Sequence, residues 1–432
     1  MLFGAYVVET VLWILAISAV TIWSTRVYVH GFLALRLGRI RRSPVEVPEA
    51  LKQNPPRVAV LLPTYNEYEV VDRLLAATTS IDYPAFDIVV ADDSTDTVTA
   101  QRLGAWTSKG SVRVVHRGKR SGFKAGALNN VLKSLDQNTE YVIVLDADCV
   151  PPSDLIWRML ASLARTGADV VQGYSELSLN SSQNIFTKSM LVSSSSYFVV
   201  DMAARKGLQG FIPIFGSAFI IKKSLLESVG GFDESSLTED WALASSLAEK
   251  GHSVFFDESI VVPGECPPTF RSLMSQQLRY SEGITRDTKR HVSKMLATSK
   301  ANAMKKFDYL FYGFSSFNSL FGLMSIALSA FAVLISKGYL NALGVDRGLI
   351  LGLGPLGQFA LFVVPVYLPL AFFFACAVAL YRKGALRELP WSVSSLALNF
   401  IFIPFIVYGS FRGMLLKKGD WVRTPKTGAM SG

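Results

Sequence analysis

An Asp-x-Asp pair, Asp146 and Asp148, directly follows the apolar run Tyr141–Leu145, at the point where a buried strand is expected to end. Carboxylate oxygens are ligands that Mg²⁺ and Mn²⁺ prefer, and such an ion usually keeps phosphate oxygens among its ligands as well. An acidic pair that stands alone in this position is more often a turn or a helix cap. Here further acidic clusters accompany it, and we predict a divalent metal that holds a nucleotide diphosphate.

A second acidic pair, Asp92 and Asp93, follows the apolar run Asp87–Ala91, and a third consists of Glu239 and Asp240. Carboxylates that gather at one edge of a sheet repel one another unless a cation joins them. Two acidic clusters at the ends of neighbouring strands therefore favour a binding site over two unrelated turns.

Two polar segments could contribute positive charge to the same site. The run 117–126 contains four cations and three glycines and precedes a helical pattern. Cations near a helix N-terminus suit a phosphate group, although a solvated loop is the alternative. The segment 276–280 (QQLRY) is uninformative by itself, but it comes shortly before the long apolar stretches.

The elements that must position these residues alternate between short apolar runs and helical patterns. The runs that predict strands are 57–62, 87–91, 112–116 and 141–145. Helical patterns separate them, for example at 67–80 and 124–136. This alternation predicts an α/β fold with a largely parallel sheet, in which ligands bind beyond the carboxyl ends of the strands.

The composition indicates that the chain also contains membrane segments. Half of the 432 residues are hydrophobic, 18% are charged and the mean hydropathy is +0.32, which is unusual for a soluble domain and excludes disorder. Three cysteines and four histidines exclude a disulfide scaffold and a structural zinc protein. The net charge of +9 predicts contacts with anionic lipid and nucleotide and no nucleic acid, because most basic residues flank apolar stretches.

The apolar stretches divide the chain into seven parts. We predict a transmembrane helix at 1–25, a linker at 26–56, the α/β domain at 57–270, amphipathic interface helices at 271–306, two transmembrane helices within 307–381, an interfacial or transmembrane helix at 389–416 and a tail at 417–432.

The segment 389–411 decides on which side of the membrane the tail lies. Arg26 and the arginines at 36–42 predict that the chain after the first helix is cytosolic. A crossing by 389–411 would leave the basic tail outside, against the same rule. We therefore prefer three crossings and an interfacial helix, with a fourth crossing as the alternative because 389–411 is very apolar.

Seven motifs occur in an order that resembles a known family. They are PTYNE (63–67), DDSTD (92–96), KAGALN (124–129), LDADC (145–149), GGFDESSLTED (230–240), QQLRY (276–280) and WVRTPK (421–426). The series resembles the membrane-bound family-2 glycosyltransferases of GT-A fold, which include cellulose, mannan, chitin and hyaluronan synthases. The resemblance covers about residues 57–290 and the tail, and the spelling of DDSTD and WVRTPK is most similar to the cellulose and mannan synthase-like branch.

The resemblance implies roles at the nucleotide and the metal. The residues expected to bind the nucleotide are Tyr65, Glu67, Asp92, Asp93, Lys124 and Asp146. Asp93, with Asp92 beside it, corresponds to the carboxylate that reads the base. Asp146 and Asp148 correspond to the aspartates that hold Mg²⁺ or Mn²⁺ and the diphosphate.

The resemblance also implies roles at the acceptor. Asp240, preceded by Glu239, corresponds to the general base. The diphosphate and acceptor group comprises Gln276, Gln277, Arg279 and Tyr280, and the gating loop comprises Trp421, Thr424 and Lys426. Tyr280 stands where the family usually has Trp, a change that bears on the acceptor more than on the chemistry. The segment 211–216 resembles an acceptor-side loop, and a buried strand is its alternative.

The family implies inverting, metal-dependent transfer from UDP-glucose, UDP-N-acetylglucosamine or GDP-mannose to a growing β-linked polysaccharide at the membrane. The alternative is transfer of one sugar to a lipid, either a glycolipid or a polyprenyl phosphate. A transporter or receptor is disfavoured because the apolar stretches 309–336 and 348–381 lack charged residues. We expect an integral protein of the plasma membrane, in contact with membrane lipids, with a cytosolic catalytic domain. Export of a long polymer is expected to need a homo-oligomer or a partner.

Overall fold

The computed structural model describes residues 2–40, 46–336, 354–416, 419 and 424–430. The strands are Val58–Thr64 (β1), Phe86–Asp92 (β2), Arg113–His116 (β3), Tyr141–Val144 (β4), Val170–Glu176 (β5), Phe219–Lys222 (β6) and Val254–Pro263 (β7). Within the described chain they form one seven-stranded sheet in the order β3-β2-β1-β4-β6-β5-β7. The runs predicted from the sequence coincide with β1 to β4 to within two residues at each end.

The strand order creates a crevice in the middle of the sheet. β6 is antiparallel to β4 and β5, whereas the other paired strands are parallel. The chain builds β2 and β3 on one side of β1 and then continues with β4 on the other side. In open α/β sheets such a reversal opens a ligand-binding crevice beyond the carboxyl ends of the strands.

Alternate residues of the central strands face two separate layers of helices. Ala59 and Leu61 of β1 belong to one buried apolar cluster, and Val58, Val60 and Leu62 belong to another. These five residues are fully buried, as expected for a parallel strand that is covered on both faces. The sheet is therefore the middle layer of three.

The helices cover the sheet and continue into an apolar bundle. They are Leu2–Arg36 (α1), Glu49–Gln53 (α2), Val71–Thr79 (α3), Thr97–Ser108 (α4), Phe123–Leu132 (α5), Leu155–Thr166 (α6), Ile185–Ser196 (α7), Ala203–Gly207 (α8), Lys223–Ser228 (α9), Glu239–Lys250 (α10), Phe270–Ala297 (α11), Ala303–Gly313 (α12), Ser315–Ser336 (α13), Gly354–Lys383 (α14) and Ser392–Leu415 (α15). A π-helical turn, Tyr197–Met202, joins α7 to α8, and a 3₁₀ segment, Leu386–Trp391, precedes α15.

Side-chain caps decide where two of these helices begin. Thr269 accepts a hydrogen bond from the amide of Ser272 at 3.2 Å, and the Ser272 hydroxyl bonds back to Thr269, which forms a capping box before α11. Asp96 accepts a hydrogen bond from the amide of Thr99 at 2.6 Å and caps α4. The second cap explains one acidic residue of the DDSTD motif without any ligand.

The long apolar helices lie against the α/β domain. α1, α13 and α14 pack together, whereas α15 lies along α11 and also contacts α7 and α13. By length and composition, the described stretches Val366–Lys383 and Leu386–Leu415 could each cross a membrane. α1 continues past residue 25 into the segment predicted as a linker, where Arg26 forms an ion pair with Asp308 of α12 at 2.6 Å.

Candidate active site

A cavity of about 660 Å³ lies beyond the carboxyl ends of β1 and β4. Fourteen of the sixteen site residues predicted from the motifs line this cavity. Those that line it are Tyr65, Glu67, Asp93, Lys124, Asp146, Asp148, Glu239, Asp240, Gln276, Gln277, Arg279, Tyr280, Thr424 and Lys426. Residues that are up to 361 positions apart in the chain therefore share one space.

Asp92, another of the predicted residues, is not on the cavity wall. Asp92 is 2% exposed and lies behind the wall, where it accepts hydrogen bonds from the Thr64 hydroxyl at 2.9 Å and the Ser94 amide at 3.1 Å. Its second carboxylate oxygen lies 2.7 Å from Nδ1 of His116. These contacts join the ends of β1, β2 and β3. Trp421 lies outside the described residues.

The side of the cavity next to the ends of β1 and β2 contains an ion pair and a stacked ring. Arg117 donates to both carboxylate oxygens of Asp93, at 2.7 and 2.6 Å. The guanidinium of Arg120 lies 3.6 Å from the ring centroid of Tyr65. Both arginines come from the basic run between the two acidic strands, so this run belongs to the site.

Asp148, shortly after β4, is the centre of a second polar group in the cavity. One of its carboxylate oxygens lies 2.7 Å from Nζ of Lys426, and the other accepts a hydrogen bond from the amide of Glu265 at 3.0 Å. Glu265 in turn accepts a hydrogen bond from Arg73 at 2.6 Å. Burial alone would raise the pKa of Asp148, but the Lys426 ammonium and the Glu265 amide outweigh it and hold the pKa below its ordinary value.

Lys124 links the end of β4 to the start of α10. Its ammonium lies 2.7 Å from Asp146, 3.4 Å from Glu239 and 2.8 Å from the carbonyl oxygen of Gly216. Burial, together with the negative charge of Glu239, raises the pKa of Asp240 to about 7, against the opposing effect of Lys124. Asp240 is thus a carboxylate that exchanges a proton near neutral pH, which suits a general base.

The segment 211–216 forms a loop rather than a strand, and it brings backbone next to Asp240. Gly216 has a φ of +72°, and a Cβ atom there would lie 3.0 Å from a carboxylate oxygen of Asp240 and 3.1 Å from Nζ of Lys124. Glycine is therefore required both by the left-handed backbone and by the close approach. The loop is held from β5, where Gln172 accepts a hydrogen bond from the Phe215 amide at 3.1 Å.

The QQLRY motif lies on α11, one wall of the cavity. The Arg279 guanidinium lies 4.8 Å from the ring centroid of Tyr280. Tyr280 is 39% exposed because its ring faces the cavity. The tyrosine ring therefore lines the cavity beside a cation.

Some lining residues were not found from the sequence. Glu265 follows the end of β7, so the strand-end rule could have found it. Tyr197 and Phe198 belong to the π-helical turn, and such turns often occur at functional sites. No pattern in the run around them marks a π-helical turn.

The acidic residues of the cavity offer only part of a coordination shell for a divalent cation. Among the described residues, no group of three or more histidine, cysteine or acidic side chains converges as a metal site. Mg²⁺-type ions bind through one or two carboxylates together with substrate phosphates. Asp148, already in contact with the Lys426 cation and with Asp146 nearby, fits such a partial site.

A solved structure supports the fold. The mannosyltransferase PcManGT from Pyrobaculum calidifontis, in complex with GDP-Man and Mn²⁺, aligns with 90% of this chain and 98% of its own, with a TM-score of 0.55 and 21% sequence identity. The predicted fold class, an α/β domain of GT-A type with a mixed sheet, is confirmed.

A family model defines the class. The chain belongs to the glycosyltransferase-like family 2, whose model matches residues 55–283, slightly more than half of the chain. The match confirms the family and the enzyme class expected from the motifs.

Curated relatives extend the similarity to named proteins. Glucomannan 4-beta-mannosyltransferase 7 of Arabidopsis thaliana is 29% identical over 268 residues, which are 60% of this chain and 48% of the relative. Glucomannan 4-beta-mannosyltransferase 2 of the same plant is 30% identical over 285 residues, 64% of this chain and 53% of the relative. The chain spans about half the length of the curated relatives it matches.

Proposed function

We propose that this chain is a membrane-bound glycosyltransferase that moves a sugar, with inversion, from a nucleotide diphosphate donor to a hydroxyl group of a β-linked polysaccharide. The observation that carries the proposal is the single cavity that holds Asp148, Asp240 and the QQLRY motif together. In this cavity Asp148 would help to bind the diphosphate, Asp240 would be the base for the acceptor, and Arg279 of the QQLRY motif would be the cation for the leaving group.

The reaction needs one displacement. The acceptor hydroxyl gives its proton to the carboxylate of Asp240, and its oxygen forms a bond to the anomeric carbon of the donor sugar. The bond from that carbon to the diphosphate breaks, and the diphosphate leaves with the electron pair. Lys124 favours the ionised form of Asp240, and Arg279 faces the charge that develops on the diphosphate.

Asp148 and Asp146 would hold Mg²⁺ or Mn²⁺ in this proposal. When bound, the ion would supply positive charge to the departing diphosphate. The chain's own residues then have a single nucleophile to activate, and no second carboxylate is needed to form a covalent intermediate.

Mannose from GDP-mannose is the donor that we propose. The support is the printed names of the curated relatives, which are glucomannan 4-beta-mannosyltransferases, and the GDP-Man held by the solved mannosyltransferase. Inversion at the anomeric carbon would convert the α-linked sugar of such a donor into a β-linkage.

We also propose that α15 lies flat and does not cross the membrane. Near its start, Ser395 donates a hydrogen bond to the carbonyl oxygen of Ser189 in α7 at 2.6 Å. Near its end, Arg412 donates to Glu282 in α11 at 2.8 Å. Because its start contacts a helix of the α/β domain and its end contacts the interface helix α11, α1, α13 and α14 would be the crossing helices. The tail would then lie on the same side as the domain.

The test uses purified full-length protein in nanodiscs with Mn²⁺, an oligosaccharide primer and a panel of labelled GDP-mannose, UDP-glucose and UDP-N-acetylglucosamine. Label from GDP-mannose in high-molecular-weight material that a β-mannanase digests is the expected result. A solvent-extractable product that carries one sugar would show that the acceptor is a lipid and not a polysaccharide.

The matched variant is Asp240→Asn, which keeps the shape of the side chain but cannot accept the proton. We expect transfer to fall by about 10²- to 10⁴-fold. Nucleotide binding, measured by calorimetry, should change little. Loss of binding in this variant would remove Asp240 from the role of base.

A further inference from the structure

A buried carboxylate on α11 holds the segment that leads into α10. Asp287 is fully buried, and one of its carboxylate oxygens accepts hydrogen bonds from the hydroxyl of Ser236 and, at 2.8 Å, from that of Thr238. The Ser236 hydroxyl also accepts a hydrogen bond from the amide of Thr238 at 2.8 Å. A Cβ atom at Gly283, one turn before Asp287, would lie 2.6 Å from the methyl carbon of Thr238, so the threonine packs closely on α11. These contacts fix the side chain of the residue directly before α10.

Thr238 stands at the position where a threonine usually caps a helix. An ordinary cap accepts a hydrogen bond from an amide of the first turn through its hydroxyl oxygen. In the described chain the Thr238 hydroxyl is directed at Asp287 and makes no bond to the first turn of α10. The amide of Trp241 instead donates to Oδ1 of Asp240 at 2.8 Å. The other carboxylate oxygen of Asp240 faces Gly216 in the cavity.

We propose that Asp287 is a positioning residue for the base: it holds the Thr238 hydroxyl away from the start of α10 and so leaves the Trp241 amide to orient the carboxylate of Asp240. Asp287 does not line the cavity, so it acts through Asp240. Because α11 also carries Arg279, this helix would set the positions of the base and of the leaving-group cation together. The inference rests on the proposed function, because Asp240 is the base of that reaction.

The Trp241 amide is the group for which two side chains would compete. Without an acceptor at position 287, the Thr238 hydroxyl would lose its partner in a buried place, where an unpaired polar group is costly. It would turn to the Trp241 amide, as an ordinary cap does. Asp240 would then lose that bond and the orientation that the bond gives. A catalytic group that is misplaced by about 1 Å can slow a reaction about 10²-fold.

The first experiment compares two substitutions of Asp287 in the full-length protein in nanodiscs. Asp287→Asn keeps an oxygen that can accept both hydroxyl groups, whereas Asp287→Leu has a similar shape and accepts neither. Initial rates are measured with the nucleotide sugar of the donor panel that the unaltered protein uses. We expect the kcat of Asp287→Leu to fall about 10²-fold with the KM of the donor unchanged, and Asp287→Asn to keep the kcat of the unaltered protein. An equal loss of kcat in the two variants, or a change in KM alone, would overturn the proposal.

Asp257→Leu in β7 is the matched control. Asp257 is also buried, and it accepts hydrogen bonds from the hydroxyls of Ser162 at 2.6 Å and Ser259 at 2.7 Å, but it does not line the cavity. Its loss should lower the unfolding midpoint and leave kcat unchanged. A similar fall of kcat in Asp257→Leu and Asp287→Leu would mean that Asp287 acts only through the stability of the fold.

The second experiment tests the route through Thr238. Thr238→Val removes the hydroxyl, so the side chain can neither bond to Asp287 nor compete for the Trp241 amide. We expect Thr238→Val to keep most of its kcat, and the double variant Asp287→Leu/Thr238→Val to be faster than Asp287→Leu. A double variant as slow as Asp287→Leu would show that the competition is wrong. If Asp287→Leu does not fold, Thr238→Val decides by itself, because a loss as large as that of Asp240→Asn would contradict the proposal.

The Asp240→Asn background separates this inference from the proposed function. Residues that act as a unit have non-additive effects, so Asp287→Leu should cause no further loss of kcat in Asp240→Asn protein. Losses that multiply would overturn the inference and leave the base assignment intact. Full transfer by Asp240→Asn protein would overturn the base assignment of the proposed function, and the inference with it.

Discussion

Lys124 is the residue through which the two acidic parts of the cavity influence each other. Its ammonium contacts Asp146, which follows β4, and Glu239, which begins α10. Two adjacent carboxylates, Glu239 and Asp240, would otherwise repel each other in a buried place. The lysine lowers the pKa of Asp240 against burial and leaves it near neutrality.

This charge balance predicts the pH dependence of transfer. Asp240 must be ionised to accept a proton, and its pKa is raised to about 7. Below that pH we expect kcat/KM to fall about tenfold per pH unit, and above it to reach a plateau. The measurement is a pH profile of initial rates with the donor at low concentration.

The variant Lys124→Met tests the direction in which Lys124 shifts the pKa of Asp240. Removal of a positive charge that lowers the pKa of Asp240 should raise that pKa, so the acidic limb of the residual activity should move to higher pH. Lys294→Met, on the exposed face of α11, should leave the limb in place. A shift of the Lys124→Met limb to lower pH would contradict the assignment.

At the scale of elements, the position of the QQLRY motif depends on how closely α15 packs on α11. A Cβ atom at Gly409 would lie 2.6 Å from the carbonyl oxygen of Leu278, and one at Gly413 would lie 2.4 Å from that of Glu282. Both contacts involve the backbone of α11, which cannot give way without moving the helix. Small residues thus let α15 support the wall that carries Arg279 and Tyr280.

Gly413→Ala should therefore push α15 away from α11. We expect a loss of stability of about 1–3 kcal/mol from overpacking and a lower kcat, because Arg279 and Tyr280 on α11 are displaced. The measurement is thermal unfolding in nanodiscs together with initial rates.

Gly104→Ala is the matched control, because a Cβ atom on this glycine of α4 would meet nothing within 4 Å. This change should stabilise the protein by up to about 1 kcal/mol through helix propensity. If both alanine variants behave alike, the packing of α15 does not set the position of the motif.

At the scale of the whole molecule, one buried arginine connects the apolar bundle to the α/β domain through an ion pair and hydrogen bonds. Arg382, at the end of α14, has a side chain that is 1% exposed. It pairs with Glu258 of β7 at 2.8 Å and donates hydrogen bonds to the carbonyl oxygens of Val199 and Gly38 at 2.6 and 2.8 Å. A single guanidinium thus joins α14 to the sheet, the π-helical turn and the segment after α1.

The variant Arg382→Met should weaken the contact between the apolar bundle and the α/β domain. Removal of one partner from a buried pair costs about 3–5 kcal/mol, because the other charge stays buried without compensation. We expect a lower unfolding midpoint in nanodiscs. Arg387→Met, which removes an arginine whose side chain is 90% exposed, should leave the midpoint unchanged. Equal midpoints for the two variants would show that Arg382 does not hold the bundle in place.

The flat position proposed for α15 predicts that the tail and the α/β domain label from the same side. Ser108→Cys in the domain and Met430→Cys in the tail are both exposed, and the native cysteines are buried. A membrane-impermeant maleimide should label both variants in inverted vesicles and neither in intact cells. Labelling of the two from opposite sides would mean that α15 crosses the membrane.

The sequence by itself determined the central strands, the family and most of the residues that line the cavity. This was possible because apolar runs mark buried strands and because a parallel sheet brings the ends of its strands to one edge. Asp146 and Asp148 could be assigned to that edge from their place after a single run. The motif order then indicated the family without any knowledge of contacts.

Only the tertiary structure decided which side chains meet. Asp92 and Asp93 are adjacent in the sequence, yet one lies behind the cavity wall and the other lines it. The length of α1 and the π-helical turn had no local signal. The ion pair between Lys426 and Asp148 joins residues that are 278 positions apart. Contacts of this kind depend on how whole elements pack, and no pattern within a short stretch of sequence records that packing.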